Sequence, residues 1–312
     1  MLDYIVYGKI IIDAIKLLDG RIVRDVLGGG GPQGAFGARL LSDSVGFLSR
    51  SGTDMPQGSI EMLKGIDVDL HGWVQFPDLP TTRGAMVYDE NEYLTSKEEL
   101  QIVFERLVHN IKEFISRPIP LPSTYRRPRV IHLITEYTKE EMVQSALDLR
   151  RDGSLFSLEP LIDFRQWSNK EAIIDLLQHV DSVTPDWPSA SGIAGSDKPK
   201  EVLSYWSKLG PQMVAVRHGH YGSYAWDRSH DEYWHIPPAP VDVIDPTGAG
   251  NAYGGGLCVG WDKSHDARTA ACYGAVSAAF LVRMVGVPEM TPDLQSEAQK
   301  MLALALKLTR SL

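Results

Sequence analysis

The stretch that decides the fold is Val243-Ile-Asp-Pro-Thr-Gly-Ala-Gly-Asn-Ala-Tyr-Gly-Gly-Gly256. Gly248 and Gly250 let the backbone turn tightly enough for several N–H groups to point at one spot. Residues 251–259 are small or apolar and predict the start of a buried helix. A glycine turn that opens into a helix N-terminus binds anions, because its free N–H groups and the helix dipole both favour negative charge. We therefore expect Gly248, Ala249 and Gly250 to bind phosphate.

Apolar runs typical of buried strands alternate with helical patterning along the rest of the chain. Residues 45–48, 130–135 and 214–217 have the strand pattern, whereas residues 139–151 and 170–179 have the helical one. Strands that alternate with helices predict an α/β fold, in which a mostly parallel central sheet is covered by helices on both faces. With 312 residues, 43% of them hydrophobic, the chain is long enough to form one large domain over residues 1–312.

The amino-acid composition limits the classes of binding partner and the cellular compartment expected for this protein. A net charge of −9 and a pI near 5.5 argue against binding to nucleic acid or to anionic membranes. No apolar run approaches the roughly 20 residues of a membrane span, and the N-terminus lacks a basic segment before an apolar one. The two cysteines, Cys258 and Cys272, lie in apolar surroundings and are predicted to be buried free thiols. Together these features predict a cytoplasmic location.

Other enzyme classes lack their motifs. The run from Gly28 to Gly31 does not give a Gly-x-Gly-x-x-Gly dinucleotide fingerprint, and no acidic residue ends a second strand about 20 residues further on. The sequence contains neither a Gly-x-x-x-x-Gly-Lys-Ser/Thr loop nor a Gly-x-Ser-x-Gly elbow. His218 and His220 lie two residues apart, but no third ligand is evident near them, so a metal site there is not expected.

The segment Asp245-Pro-Thr-Gly-Ala-Gly-Asn251 resembles the C-terminal signature of the PfkB (ribokinase-like) carbohydrate kinases. In that family the last residue of the signature is an Asp that removes the proton from the acceptor hydroxyl. Here the position is Asn251, whose amide can orient a hydroxyl but cannot accept its proton near neutral pH. A positioned general base contributes about 10²–10⁴-fold to a rate. The resemblance therefore implies a ribokinase-like fold with a modified active site.

The resemblance continues towards the N-terminus, where the family binds its acceptor. Asp13 follows a first strand, as does the family Asp that binds sugar hydroxyls, and Gln33 stands at the Asn of a Gly-Gly-x-x-x-Asn-x-Ala segment. The implied substrate-binding residues are Asp13, Gly29, Gln33 and Arg83. For three of them a structural role stays open: Asp13 as a strand-end residue, Gln33 as a partner of nearby backbone, and Arg83 as an exposed edge residue.

Residues 214–222 resemble the strand and turn that lie beside the nucleotide in the family. The implied nucleotide-binding residues are His218, Gly219, Gly222, Thr247 and Gly274. The family resemblance implies ATP and Mg²⁺, and it admits a monovalent cation. The family usually has Pro-Asn-x-x-Glu where this chain has Pro185-Asp186-Trp187-Pro188-Ser189. Mg²⁺ prefers carboxylate and water oxygens, so Asp186 and Asp245 are its candidate ligands, with a solvated Asp186 and a turn-capping Asp245 as the alternatives.

A small β lid is implied over residues 14–28 and 70–95. The apolar residues Trp73, Val74 and Phe76 would suit pairing of such lids in a homodimer. The dipeptide Glu159-Pro160 and the terminal Gly-Asn of the signature resemble a divergent fungal branch of the family, the killer-virus-maintenance homologues.

Two functions follow from this pattern. The first is a phosphotransferase that moves a phosphoryl group from ATP to an alcohol group of a sugar, a nucleoside or a related polyol. The second is a pseudokinase that keeps the fold, binds nucleotide or another ligand, and serves as a sensor or scaffold. We favour the kinase, because the glycine turn and Asp13 both survive. Three changes together, at Gln33, Ser189 and Asn251, favour the alternative.

Overall fold

The computed structural model describes residues 1–17, 19–87 and 110–312. The strands are β1 (Tyr4–Tyr7), β2 (Ile11–Lys16), β3 (Ile22–Gly28), β4 (Val45–Gly52), β5 (Asp69–Phe76), β6 (Arg83–Val87), β7 (Val130–Thr135), β8 (Leu155–Pro160), β9 (Ser182–Val183), β10 (Met213–Arg217), β11 (Ser223–Asp227), β12 (Tyr233–Ile236) and β13 (Arg310–Ser311). The helices are α1 (Gly31–Arg39), α2 (Gln57–Gly65), α3 (Ile111–Ile115), α4 (Glu141–Arg151), α5 (Lys170–Leu177), α6 (Trp187–Ala194), α7 (Pro199–Trp206), α8 (Ala249–Ser264), α9 (Ala267–Leu281) and α10 (Pro292–Leu308).

The main sheet has ten strands in the described part of the chain, in the order β13-β12-β11-β10-β9-β8-β7-β1-β4-β5. From β10 to β5 all neighbouring strands are parallel, and β11, β12 and β13 add an antiparallel edge. Because parallel strands end on the same side, the last residues of β8 and β10 lie at one edge of the sheet. In open parallel sheets this carboxyl edge is where ligands bind.

Two apolar cores cover the two faces of this sheet. Along β1, Tyr4 and Val6 belong to one core and Ile5 and Tyr7 to the other, which is the period of two expected of a strand buried on both sides. Residues of α1, α8 and α9 form the first core, and residues of α4, α5, α6 and α7 form the second. The predicted α/β fold, with helices on both faces of a mostly parallel sheet, is confirmed.

Glycines bring α1 and α8 into close contact. A Cβ atom on Gly37 would lie 2.1 Å from the carbonyl oxygen of Ala252, and one on Gly255 would lie 2.0 Å from that of Gly34. Such distances leave no room for a side chain, so the two helices touch through their backbones. This contact brings the N-terminus of α8 beside the N-terminus of α1.

The small sheet has the order β3-β2-β6 and differs from the predicted lid in its boundaries. Residues 70–76 belong instead to β5, the edge strand of the main sheet, and only β6 joins the small sheet from the second predicted segment. Residues 88–95 of that segment lie outside the described residues. Trp73, Val74 and Phe76, which suggested a dimer, lie on β5, and the homodimer stays a prediction.

Two further findings concern composition. Cys258 and Cys272 are both free and buried, as predicted. Within residues 1–17, 19–87 and 110–312, no helix is both long enough and apolar enough to span a lipid bilayer.

Candidate functional site

The glycine turn opens α8. Gly248 precedes the helix with a φ of 80°, a left-handed conformation that glycine adopts at little cost. Asn251 lies in the first helical turn, and its amide faces Gly30, where a Cβ atom would lie 2.9 Å from Asn251 Nδ2. The N–H of Ala249 donates to the carbonyl of Pro246 at 3.1 Å, whereas the N–H groups of Gly250 and Asn251 have no backbone partner among the described residues. This is the geometry that binds an anionic group at a helix N-terminus.

A buried polar cluster lies beneath this turn and consists of Glu159, Arg217, Asn251 and His132. Glu159 is the penultimate residue of β8 and is fully buried. Its Oε1 accepts one hydrogen bond from Arg217 Nη1 at 2.7 Å and another from Asn251 Nδ2 at 2.8 Å. His132, on the neighbouring strand β7, places Nε2 3.9 Å from Glu159 Oε2, which is too far for a hydrogen bond. We call this set the Glu159 cluster.

The Glu159 cluster keeps its carboxylate ionised. Burial alone would raise the pKa of Glu159, but the charge of Arg217, aided by His132, lowers that pKa below its ordinary value. Three buried polar atoms of the cluster have no hydrogen-bond partner among the described residues: Glu159 Oε2, His132 Nε2 and Arg217 Nε. The cluster therefore contains one well-compensated ion pair and unused hydrogen-bonding capacity around it.

A cleft of about 380 Å³ opens on the outer side of the turn. Its lining is mostly small and apolar and includes the α9 residues Ala275, Ala278 and Ala279. Polar side chains are contributed by Arg217, His220, Ser223 and Tyr253. Apolar clefts with a few polar groups are the usual binding sites of small ligands. The structure thus places one such cleft directly against the predicted phosphate turn.

The predicted nucleotide residues divide into two groups at this cleft. Gly219 and Gly222 line it, together with Ala249 and Gly250 of the turn. His218, Thr247 and Gly274 are not among its lining residues. Gly274 instead packs against Tyr253, since a Cβ atom there would lie 2.9 Å from the tyrosine ring.

His218 is held in an aromatic cluster next to the cleft. Its ring stacks on Trp187 with the ring centres 4.2 Å apart, and Tyr221 and Tyr224 flank it. Burial, with a smaller effect from His220, lowers the pKa of His218 to about 4. His218 is therefore neutral at physiological pH and offers no positive charge to a phosphate.

Asp13 lies on β2 and is almost fully buried. Neither of its carboxylate oxygens has a hydrogen-bond partner within the described residues. Two glycines make room for the carboxylate: a Cβ atom on Gly28 would lie 1.8 Å from Asp13 Oδ2, and one on Gly84 would lie 2.5 Å from Asp13 Oδ1. Burial, reinforced by the negative charge of Asp245, raises the pKa of Asp13 to about 7. A buried carboxylate that has no partner among the described residues is rare in folded proteins and marks this position as unusual.

The other three predicted acceptor residues are engaged with the protein. Gln33 Nε2 donates to the carbonyl of Leu27 at 2.9 Å, and its Oε1 accepts from the N–H of Gly30 at 3.1 Å. Gly29 has a φ of 91°, and a Cβ atom there would lie 2.6 Å from the carbonyl oxygen of Lys9. Arg83 pairs with Asp25 on the small sheet at 3.2 Å. Gln33 thus follows the alternative of satisfying nearby backbone, and its contact with an acceptor stays a prediction.

The two candidate metal ligands each hold a turn. Asp186 caps α6 by accepting from the N–H of Ser189 at 2.8 Å. Asp245 Oδ1 accepts from both the N–H and the hydroxyl of Thr247, at 3.0 and 2.6 Å. Burial raises the pKa of Asp245 although these hydrogen bonds oppose the shift. The donor set fits a Mg²⁺ ion held by a single carboxylate together with phosphate and water oxygens, which is the coordination that Mg²⁺ commonly adopts.

Three residues of the site were missed by the sequence analysis: Arg217, His132 and Tyr253. Arg217 carried a usable signal, because it ends a parallel strand at the edge where ligands bind. His132 lies in the middle of β7, in a fully buried run, and only the pairing of β7 with β8 brings it to Glu159. Tyr253 is one aromatic residue in an apolar helix, and no local pattern distinguishes it.

The sequence resembles those of known proteins over most of the chain. The sequence profile described as pfkB family carbohydrate kinase matches residues 1–294. A cytidine kinase of Thermococcus kodakarensis is 26% identical over 264 residues, which cover 84% of this chain and 90% of the relative. An uncharacterised protein of Schizosaccharomyces pombe is 24% identical and covers 93% of this chain, with 87% of its own length matched.

Solved structures agree with the fold. A putative ribokinase II from E. coli, crystallised in complex with ATP and Mg²⁺, superimposes with a TM-score of 0.71. The match covers 97% of this chain and 100% of the E. coli chain, at 19% sequence identity.

Proposed function

The chain belongs to the pfkB family of carbohydrate kinases, and from that premise we propose that it transfers the γ-phosphoryl group of ATP to a hydroxyl of a sugar, nucleoside or related polyol. In this proposal the nucleotide occupies the cleft beside Tyr253, and its terminal phosphate meets the turn from Gly248 to Gly250. The acceptor lies on the other side of that turn, against Asp13.

The observation that carries the proposal is the state of Asp13. A carboxylate that is buried with both oxygens unpartnered is costly unless something binds it. Two glycines leave the space in which its oxygens lie, and no residue that the structure describes donates a hydrogen bond to them. Acceptor hydroxyl groups would supply those donors, which supports a polyol at this position.

The chemistry is an in-line displacement. The acceptor oxygen forms a bond to the γ-phosphorus while the bond from that phosphorus to the bridging oxygen breaks, and its electron pair leaves with ADP. The hydroxyl proton goes to solvent water, because the amide of Asn251 is not basic. Phosphoryl transfer depends chiefly on positioning and electrostatics, so we expect turnover that is slowed by the missing base but not abolished. Mg²⁺ would be held by Asp186 with phosphate and water oxygens, and it would neutralise phosphate charge.

The acceptor class can be narrowed by the relatives. The cytidine kinase of Thermococcus kodakarensis is similar over most of this chain. Nucleosides, cytidine first, are therefore the acceptors to test before hexoses. The assay follows ADP formation from ATP and Mg²⁺ with each acceptor in turn, and phosphorylated product is identified by mass spectrometry.

Asp13→Asn is the variant that tests the site. We expect it to lose acceptor-dependent ADP formation while it still binds ATP, because Asn offers one acceptor atom in place of two charged oxygens. Asp197→Asn, at an exposed position between α6 and α7, is the control and should keep its activity. Equal turnover by Asp13→Asn and the unsubstituted protein, with the same acceptor, would contradict the proposed acceptor site.

The pseudokinase is the second candidate, and Asn251 is the observation that favours it. Its Nδ2 is committed to Glu159, so the position that carries the base in relatives serves a buried hydrogen bond here. A pseudokinase would bind ATP in calorimetric titration, with or without Mg²⁺, and would form no ADP with any acceptor. ATP-dependent product formation with one acceptor would exclude it.

A further inference from the structure

Arg217 lies against the phosphate turn. A Cβ atom on Gly250 would lie 1.9 Å from Arg217 Nη1, so the guanidinium group is in contact with the backbone of the turn. Arg217 also lines the cleft, beside Gly219 and Ala249. Glu159 holds the guanidinium group in position, because Glu159 Oε1 lies 2.7 Å from Arg217 Nη1. A positive charge is therefore built into the place where helix N–H groups already favour an anion.

The guanidinium group of Arg217 has unused hydrogen-bond donors. It carries five N–H groups, and Glu159 is its only side-chain hydrogen-bond partner in the part of the chain described here. Arg217 Nε is buried without a partner. Arg is well suited to phosphate, because its planar donors match phosphate oxygens two at a time.

We propose that Arg217 binds a phosphate group of the nucleotide in the cleft, with Glu159 holding the guanidinium group in place. The proposal rests on the proposed function only for the nature of the ligand, a nucleoside triphosphate. Arg217 would neutralise part of the phosphate charge from within the protein.

The same geometry explains why residue 251 is Asn. An Asp at this position would bring a second carboxylate to about the distance at which Asn251 Nδ2 now meets Glu159 Oε1, 2.8 Å. Two carboxylates so close cannot both ionise, and they would compete for the one guanidinium group. Asn251 instead donates to Glu159 and leaves the charge of Arg217 to the ligand.

The experiment compares two variants that both lack the Glu159 charge. Glu159→Gln keeps Arg217, whereas Glu159→Gln/Arg217→Gln removes it, so neither leaves a buried carboxylate unpaired. Affinities for ATP and for adenosine are measured by calorimetric titration for both variants and for the unsubstituted protein. We expect ATP to bind more tightly than adenosine when Arg217 is present. Loss of a charged hydrogen bond should reduce that preference by about tenfold or more in the double variant, with adenosine affinity unchanged.

The outcomes separate the two proposals. An equal preference for ATP in both variants would overturn the role of Arg217 and leave the kinase proposal standing. Tighter ATP binding by the double variant would also overturn it, since the guanidinium group would then occupy the place of the phosphate. If the unsubstituted protein bound neither ATP nor adenosine, the proposed function and this inference would both fail.

The variant Asn251→Asp provides a second test of the proposed role of Arg217. We expect ATP affinity to fall by about tenfold in this variant and to recover in Asn251→Asp/Glu159→Gln, where one carboxylate remains. Unchanged ATP affinity in Asn251→Asp alone would show that the two positions are not coupled through Arg217.

Discussion

Two buried carboxylates of the proposed site have opposite electrostatic surroundings. Glu159 and Asp13 are both almost fully removed from solvent, and burial raises the pKa of each. For Glu159 the charge of Arg217 reverses that shift and lowers the pKa, whereas for Asp13 the nearby charge of Asp245 raises it further, to about 7. Because both carboxyl groups are buried, the charges of their neighbours determine that the pKa of Glu159 is lowered and the pKa of Asp13 is raised.

This difference separates the two halves of the site. The nucleotide half brings its own counter-charge, so Glu159 and Arg217 are paired before any ligand arrives. The half that we propose to bind the acceptor has a carboxylate without partners among residues 1–17, 19–87 and 110–312, and two glycines make room for it. A preformed pair costs little to reorganise on binding, whereas an unpartnered carboxylate stores an unfavourable free energy that a ligand can relieve. In the proposed nucleotide half the protein itself supplies the partner of the buried carboxylate, whereas in the proposed acceptor half the substrate would supply it.

The largest expected effect comes from breaking the pair in the nucleotide half. Arg217→Met leaves the Glu159 carboxylate buried without its cation, which should lower the free energy of unfolding by about 3–5 kcal/mol. The exposed pair of Arg283 and Glu297 offers a matched control, and Arg283→Met should change stability little. Urea denaturation at neutral pH measures both.

The double variant Glu159→Gln/Arg217→Met sharpens this test. It removes both charges, so it should recover much of the stability that Arg217→Met loses. If Arg217→Met and Arg283→Met cost the same, Glu159 would not depend on Arg217, and the contrast with Asp13 would fail.

The second prediction concerns the pH dependence of stability in the acceptor half. The folded-state pKa of Asp13 is about 7 against an ordinary value of 3.8, so the folded protein holds this proton more tightly than the unfolded chain. The stability contributed by Asp13 is therefore present at low pH and is lost as the pH rises towards 7, at about 1.4 kcal/mol per pKa unit. Asp13→Asn should be more stable than the unsubstituted protein above about pH 7, and the gain should vanish towards about pH 4.

Glu159→Gln should show the opposite sign in the same measurement. Its folded-state pKa is lowered, so the carboxylate contributes stability above its ordinary pKa and loses it as the pH falls. The variant should be destabilised at neutral pH and less so in acid. Parallel pH profiles for Asp13→Asn and Glu159→Gln would contradict the comparison of the two carboxylates.

A third, smaller effect should follow from filling the space beside Asp13. In Gly28→Ala the new methyl group would lie 1.8 Å from Asp13 Oδ2, so the carboxylate must rotate within a packed site. Overpacking of this kind costs about 1–3 kcal/mol, and we expect acceptor-dependent turnover to be lost with ATP binding kept. Gly58→Ala, on α2, has nothing within 4 Å of the new atom and serves as the control. Retained turnover in Gly28→Ala would place the acceptor elsewhere.

The fold was largely predictable from sequence because its signals are local. The apolar run of β7 was predicted at the same residues, 130–135, at which the structure has it. Helices α6 and α7 were not predicted from sequence. Pro188 and Pro199 each lie in the first turn of one of these helices, where proline is tolerated. Strand β5 was assigned to the lid, because extended patterning does not tell which sheet a strand joins.

The site was less predictable, because its chemistry depends on pairs that are distant in sequence. The turn from Gly248 to Asn251 is contiguous and was recognised. Glu159 and Arg217 are 58 residues apart, and Asn251 is 92 residues from Glu159. Nothing local to these residues shows that they share one carboxylate oxygen. The absence of Asp at position 251 could therefore be read from sequence, whereas the pairing of Arg217 and Asn251 with Glu159 could not.

The smallest expected effect separates the two causes of the Asp13 shift. Burial is the larger cause and the negative charge of Asp245 the smaller one, so Asp245→Asn should lower the pKa of Asp13 only in part. Asn keeps an oxygen that can accept from Thr247, so the turn should hold its shape. The free energy of unfolding is measured over a range of pH, and the difference between Asp245→Asn and Asp245→Asn/Asp13→Asn is plotted against pH. This curve is compared with the corresponding difference between the unsubstituted protein and Asp13→Asn. We expect the midpoint of the difference to move to lower pH yet to stay above the ordinary value of an aspartate. A midpoint that does not move would mean that Asp245 does not act on Asp13, and burial alone would then set the acceptor half apart from Glu159.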